Sequence, residues 1–240
     1  MQIGSRINLI KHDIARLFVG KAKEVLLQKQ IKIDINDFSS NSKSTPPQFP
    51  FFGSTNIGKS SLLKAVLKTD SLSQNASKLP QASRKTGYTK TVNSYTVGNF
   101  MRLVDTPGYG FRSTPQQGQL IESYLTSERA NIARSYLLIH PLKMVTENDL
   151  YALNILRNHD IPVTYVVTQC DKLHKQFRIE GAMEDMLEKF EEQICEPIDD
   201  NIMFTSSTIN VGISDLRAEL YLQAKSHEAK MKGIEPEVDV

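Results

Sequence analysis

The sequence predicts a three-layer α/β domain: a mainly parallel six-stranded sheet with one antiparallel strand and helices on both faces. Three observations predict it. Short apolar runs alternate with stretches of helical period, a glycine-containing turn leads from the first run into a helix, and Gly98-Asn99 folds two successive runs into a hairpin. The composition permits such a core, because 40% of the 240 residues are hydrophobic and 23% charged, unlike a disordered chain. No apolar run reaches the roughly eighteen residues that a transmembrane helix needs. Cys170 and Cys195 are the two cysteines, and no zinc-type spacing surrounds them, so reduced thiols are expected.

The elements follow in order. Residues 1–32 carry Arg6, Lys11, Arg16, Lys21, Lys23, Lys29 and Lys32 against Asp13 and Glu24. Ile3, Ile7, Ile10, Ile14, Leu17 and Phe18 recur at three- and four-residue steps, which gives a basic amphipathic helix. Two readings stay open there: residues 1–17 as a mitochondrial targeting segment, or a helix that docks on the domain. The polar run Ser39–Pro47 reads as a linker. Strand Phe49–Phe52 is followed by a helix from Lys59 to Leu67, then by the hairpin strands Val92–Val97 and Met101–Asp105. Next come helix Gln116–Ile132, strand Ser135–Ile139, helix Thr146–Asn158 and strand Val163–Thr168. A charged helix Phe177–Ile194, strand Ile202–Thr205 and helix Ile213–His227 complete the series. The expected domain spans residues 18–232, and 233–240 form an acidic tail.

The chemistry concentrates at the first strand-to-helix turn. Gly53-Ser54-Thr55-Asn56-Ile57-Gly58-Lys59-Ser60 matches the P-loop pattern in the context that motif requires, between a strand and a helix. Its glycines let backbone N–H groups turn inward around phosphates, and the helix N-terminus adds partial positive charge. Lys59 would reach the β- and γ-phosphates, and the Ser60 hydroxyl would take a position on Mg²⁺. Such a pattern arises by chance in about one per cent of chains this long, so phosphate binding outweighs a merely glycine-containing turn. Leu103-Val104-Asp105 ends a strand in a carboxylate suited to hold Mg²⁺ through water, and the N–H of Gly108 could sense a γ-phosphate. Thr89 lies in the loop ahead of the second strand, where a second hydroxyl for Mg²⁺ would come from. Thr168-Gln169-Cys170-Asp171-Lys172 follows a strand, and a carboxylate there can accept from both N1–H and the amino group of guanine; adenine offers no such pair.

Together these segments resemble the EngB (YihA) branch of the translation-factor-related P-loop GTPases, ribosome-biogenesis GTP-binding proteins that include eukaryotic organellar relatives. The likeness runs from about Phe18 to Leu222. It is carried by Phe52–Leu62, Gly87-Tyr88-Thr89, Asp105-Thr106-Pro107-Gly108-Tyr109-Gly110-Phe111, His140-Pro141-Leu142-Lys143, Ile161-Pro162-Val163, Thr168–Lys172, and Ser206-Ser207 before Gly212. The resemblance implies a Ras-like P-loop GTPase domain that holds GTP or GDP with Mg²⁺. By resemblance Gly53, Ser54, Thr55, Asn56, Ile57, Gly58, Lys59, Ser60 and Ser61 cradle the phosphates, with Gly87, Tyr88, Thr89, Asp105, Thr106, Pro107 and Gly108 around them. Thr168, Gln169, Asp171, Lys172, Ser206 and Ser207 would surround the base. Lys59, Thr89 and Gly108 are the expected catalytic residues, and Ser60, Thr89 and Asp105 the expected magnesium set.

Departures from the family pattern matter. Ser54 stands where the family usually has Arg, Gln169 where it has Lys, and Leu137 and Ile139 replace an Asp-x-Arg pair, which favours a structural role for His140. Tyr109 occupies the place where many GTPases carry a water-orienting Gln, so slow intrinsic hydrolysis is expected, completed by a partner. Asn56 holds the position that helps retain a K⁺ ion in related GTPases, making K⁺ a candidate cofactor. The stretch 71–104 lacks acids and contains Lys78, Arg84, Lys85, Lys90 and Arg102, so its flank of Thr89 would face a polyanion, with ribosomal RNA or a pre-ribosomal particle as the candidate. The expected function is a switch in large ribosomal subunit assembly, by a monomer that is not an integral membrane protein, in the mitochondrial matrix or alternatively the cytoplasm. Two rivals remain: a P-loop ATPase or small-molecule kinase, and a regulatory module that holds GTP or GDP for division or scaffolding. Asn75-Ala76-Ser77 fits the glycosylation pattern but reads as accidental.

Overall fold

The computed structural model describes residues 27–33, 46–67, 92–97, 100–110, 114–175, 182–198 and 201–233. Its strands are β1 (Leu27–Ile33), β2 (Gln48–Gly53), β3 (Val92–Val97), β4 (Met101–Asp105), β5 (Ser135–Ile139), β6 (Val163–Val167) and β7 (Ile202–Phe204). Its helices are α1 (Lys59–Leu67), α2 (Pro115–Glu128), α3 (Glu147–Asn158), α4 (Ala182–Ile194) and α5 (Ile213–Met231). The strands form one sheet in the order β1-β3-β4-β2-β5-β6-β7. Parallel pairing joins β4, β2, β5, β6 and β7, while β3 runs antiparallel to both of its neighbours. The expected architecture is therefore present, with its single reversed strand.

The six strands read from the sequence become seven. The addition, β1, pairs antiparallel with β3 from Leu27↔Val97 to Ile33↔Val92, and it follows the helical period of Ile3–Phe18, in a stretch given no strand above. An edge strand is held by backbone bonds on one side and can be polar, and Gln28, Lys29, Gln30 and Lys32 make up four of the seven residues here. The proposed targeting segment 1–17, the linker at 39–45, the acid-free stretch 71–90 with Gly87, Tyr88 and Thr89, and all but the first residue of the 233–240 tail lie outside the described residues.

Two apolar layers sandwich the sheet. On one face α1 and α5 cover Phe49, Phe51, Tyr95, Leu103, Tyr136, Leu138 and Val166 through Leu62, Leu63, Val66, Leu216 and Leu220. On the other, α2, α3 and α4 cover Phe52, Val104, Leu137, Ile139 and Tyr165 through Leu120, Tyr124, Leu153, Leu156 and Phe190. Residues of opposite parity on β2 and β5 thus feed opposite layers, as the pleat requires. Phe51 stacks on Tyr136 with ring centroids 5.0 Å apart, and Tyr165 meets Phe190 edge-on at 5.1 Å. Helix α3 starts on a reciprocal cap: Asp149 N–H donates to Thr146 Oγ1, and Asp149 Oδ2 accepts the Thr146 N–H at 2.9 Å. No described helix is long and apolar enough to cross a membrane.

Candidate nucleotide site at the carboxyl edge of the sheet

The turns that follow β2, β4, β6 and β7 all leave the same edge of the parallel sheet, the place where open α/β sheets bind ligands. After β2, Asn56 and Gly58 take positive φ (65° and 101°) and turn the loop into the N-terminus of α1. Ile57 tucks its side chain inward and is buried. Lys59 opens α1 with 7% of its surface exposed. Its Nζ stands 3.9 Å from Asp105 Oδ1 at the end of β4, and Ser60 Oγ donates to Asp105 Oδ2 at 2.8 Å.

The electrostatics of this cluster are uneven. Burial holds the Lys59 ammonium below its ordinary pKa, and the Asp105 carboxylate only partly offsets that. Burial likewise pushes Asp105 up, opposed by Lys59 and by the Ser60 hydroxyl. Asp105 Oδ1 is buried and accepts no hydrogen bond, although a charged amine stands nearby. Such a pocket gains from a ligand that brings anionic oxygens to Lys59 and a cation to the carboxylate. A hydroxyl and a carboxylate with a spare buried oxygen form a hard donor set that fits Mg²⁺. Among the described residues no group of three or more His, Cys, Asp and Glu could hold a metal, so an ion here would draw on phosphate oxygens as well.

The Asp105–Gly108 segment packs on the phosphate loop. Thr106 Oγ1 donates to Phe51 O at 2.7 Å. At Gly108 a Cβ would come within 3.1 Å of Thr55 Cα, tighter than ordinary contact, so glycine suits this close approach of the two backbones. Thr55 N–H donates to Tyr109 O at 3.0 Å, and Tyr109 N–H to Gly53 O at 3.4 Å. The Tyr109 hydroxyl donates to Asp149 Oδ1 at 2.8 Å, and burial with that carboxylate raises its pKa well above the phenolic range.

The loop after β6 fastens to the same P-loop. Thr168 Oγ1 donates to Ile57 O at 2.8 Å and the Gln169 amide to the same oxygen at 2.9 Å. Gln169, with φ of 54°, therefore keeps a bond to the phosphate loop although it carries no charge. Asp171 is oriented from the loop after β7, where Ser206 Oγ donates to its Oδ1 at 2.6 Å. That loop is closed by paired backbone bonds between Ser206 and Val211. At Gly212 a Cβ would lie 2.0 Å from Phe204 O, with φ at +68°. Ser207 and Lys172 are exposed and Cys170 is half-buried and unpaired, its thiol raised by burial and by Asp171.

The structure thus gathers residues 53–60, 105–108, 168–172 and 206 at one edge; Gly87, Tyr88 and Thr89 fall outside the described residues. His140 is structural: its Nδ1 accepts the N–H groups of Leu142 and Lys143 at 3.1 and 3.3 Å, and burial together with Lys172 and Lys143 lowers its pKa. Asp149 was not anticipated. Thr146-x-x-Asp149 signals a helix cap, but nothing local announces a contact with Tyr109, 40 residues away.

A model of the 50S ribosome-binding GTPases matches residues 48–169, just over half of the chain. The chain belongs to this family. It is 37% identical over 145 residues to MIOREX complex component 8 of Saccharomyces cerevisiae, covering 60% of this chain and 46% of that protein. It is 35% identical over 136 residues to "Probable GTP-binding protein EngB" of Pelobacter propionicus, covering 55% of this chain and 64% of that one. The chain therefore spans less than two thirds of either relative. Among solved structures, a probable GTP-binding protein engB aligns with a TM-score of 0.56 at 19% identity, over 75% of this chain and 99% of that chain, a likeness of fold. The family assignment agrees with the EngB resemblance read from the motifs.

Proposed function

We propose that the chain is a guanine-nucleotide switch that binds GTP and GDP with Mg²⁺, hydrolyses GTP slowly by itself, and serves large ribosomal subunit assembly in the mitochondrial matrix. The observation that carries this reading is the attachment of a base-reading carboxylate to a phosphate loop. Asp171 is oriented by Ser206, while its neighbours Thr168 and Gln169 are bonded to Ile57 of the loop that leads into Lys59. An ATPase or a small-molecule kinase needs the second half of that arrangement and has no use for the first.

Each group has a part. Backbone N–H groups at the start of α1 and Lys59 would bind the phosphates, and Lys59 would stabilise charge that builds on them during transfer. Ser60 and Asp105 would hold Mg²⁺, which supplies further charge neutralisation when bound. Gly108 would meet the γ-phosphate, and Thr89 would complete the magnesium set. Tyr109 stands in place of a water-orienting Gln and its hydroxyl is engaged by Asp149, so orientation of the attacking water falls to a partner. Asn56, at positive φ in the loop, is the candidate K⁺ contact. The ribosomal assignment draws on the family's description and on the yeast relative's name, and the matrix location on the basic amphipathic segment before residue 18.

Single-turnover GTP hydrolysis by the full chain, with and without large ribosomal subunits and in K⁺ or Na⁺ buffer, tests the proposal. We expect a rate on the order of 10⁻³ s⁻¹ or slower alone and at least about tenfold faster with subunits. Fast hydrolysis by the purified chain would remove the slow-switch reading, and equal rates in Na⁺ and K⁺ would remove the role given to Asn56.

A further inference from the structure

Tyr109 is fastened at both ends. Its carbonyl accepts the Thr55 N–H at 3.0 Å and Thr55 Oγ1 at 3.2 Å, and its N–H donates to Gly53 O. Its hydroxyl reaches across to α3, where Asp149 Oδ1 accepts it at 2.8 Å. Asp149 is a firm anchor. It is 3% exposed, its other oxygen accepts the Thr146 N–H at 2.9 Å and Thr146 Oγ1 at 2.6 Å, and it sits in the first turn of a helix, where the backbone dipole favours a carboxylate. Releasing the Tyr109 hydroxyl would leave a buried carboxylate oxygen short of a donor, which is costly.

The residue before Tyr109 is Gly108, packed so closely on Thr55 that a Cβ would stand 3.1 Å from the Thr55 Cα. Whatever holds Tyr109 therefore holds Gly108 against the phosphate loop. We infer that Tyr109, through Asp149, is a positioning residue that presets the Gly108 segment for a third phosphate and so sets the preference between GTP and GDP. This inference rests on the guanine-nucleotide reading above. Without the anchor, the segment would sample other conformations, and a triphosphate would have to order it on binding. A diphosphate, held by Lys59 and the P-loop, would not. The same linkage runs backwards: a triphosphate that fixes Gly108 also steadies the first turn of α3.

The test compares Tyr109→Phe with a control of the same chemistry elsewhere. Tyr165→Phe removes another half-buried hydroxyl–carboxylate bond, to Glu196, on the α3–α4 side of the sheet. Fluorescent GDP and a non-hydrolysable GTP analogue are titrated into the full chain and both variants. We expect Tyr109→Phe to weaken the analogue roughly five- to tenfold relative to GDP, the scale of one ordinary hydrogen bond's net contribution. Tyr165→Phe should leave that ratio within about twofold, since the hydroxyl it removes bonds Glu196 rather than the phosphate loop. An unchanged ratio in Tyr109→Phe with GDP binding intact overturns the inference alone, as does an equal shift in both variants. Binding of neither nucleotide by the unaltered chain overturns the guanine reading and this inference with it. Amide hydrogen exchange on the unaltered chain gives a second measurement that does not depend on a variant folding. Protection at 106–110 and at 146–149 should rise together with the analogue, and protection confined to 106–110 contradicts the coupling.

Discussion

Asp171 is the residue on which base recognition would turn, and a single hydroxyl, Ser206 Oγ, fixes its direction. Losing a carboxylate that accepts two guanine N–H groups costs about 3 kcal/mol, so Asp171→Ala should weaken GDP about a hundredfold. Ser206→Ala removes only the orienting bond and should weaken GDP about fivefold, as read by titration. Gln169 makes the opposite case. Its amide already bonds Ile57 O, so Gln169→Lys keeps the bond and adds charge beside a polyanion. GDP should bind about threefold to tenfold tighter, and unchanged affinity would sink that account of the departure. These residues were legible because phosphate and guanine chemistry demand particular side chains at short spacings after a strand. Asp149 was not, because its partner comes from a different loop and only the folded sheet brings the two together.

At the scale of elements, two positions carry more than their size suggests. Gly212 begins α5 at positive φ and sits on Phe204 O, so Gly212→Ala should cost about 2 kcal/mol or more in urea unfolding, through strain and contact together. A loss of unfolding free energy below roughly a few tenths of a kcal/mol would show that the loop yields easily. Thr146→Ala removes the cap of α3 and should cost about 1 kcal/mol by the same measurement. The core elements were legible from period alone, since β2, β5 and β6 are almost wholly apolar and α3 is capped by a local signal. Two departures have physical reasons. Strand β1 is an edge strand with four polar residues in seven, three of them consecutive, so it lacks the apolar run that marked the other strands. Helix α5 runs on to Met231, past the end read from the sequence at His227. Its last turns carry no core residues and are laced instead by Glu228 with Lys225 and Lys232, which no hydrophobic pattern reports.

For the whole molecule, net charge says little, because 29 basic and 27 acidic residues nearly cancel. Their distribution matters more. The sheet and its two apolar layers are an ordinary scaffold, and one edge of it collects the buried amine of Lys59, the raised carboxylate of Asp105 and the loop that carries Asp171. The acid-free stretch 71–104 immediately precedes Asp105 in the sequence, so under the proposed function association with large ribosomal particles should weaken steeply with salt, and salt-independent association would rule out a phosphate-backbone contact. Base selectivity is separable from any ribosomal partner, and the proposed function requires this edge to take guanine and refuse adenine. Displacement of fluorescent GDP from the full chain in Mg²⁺ tests it most directly. GTP should displace the label at micromolar concentrations while ATP fails at roughly a hundredfold excess, the discrimination that two unsatisfied hydrogen bonds would impose. Equal displacement by ATP would contradict the account.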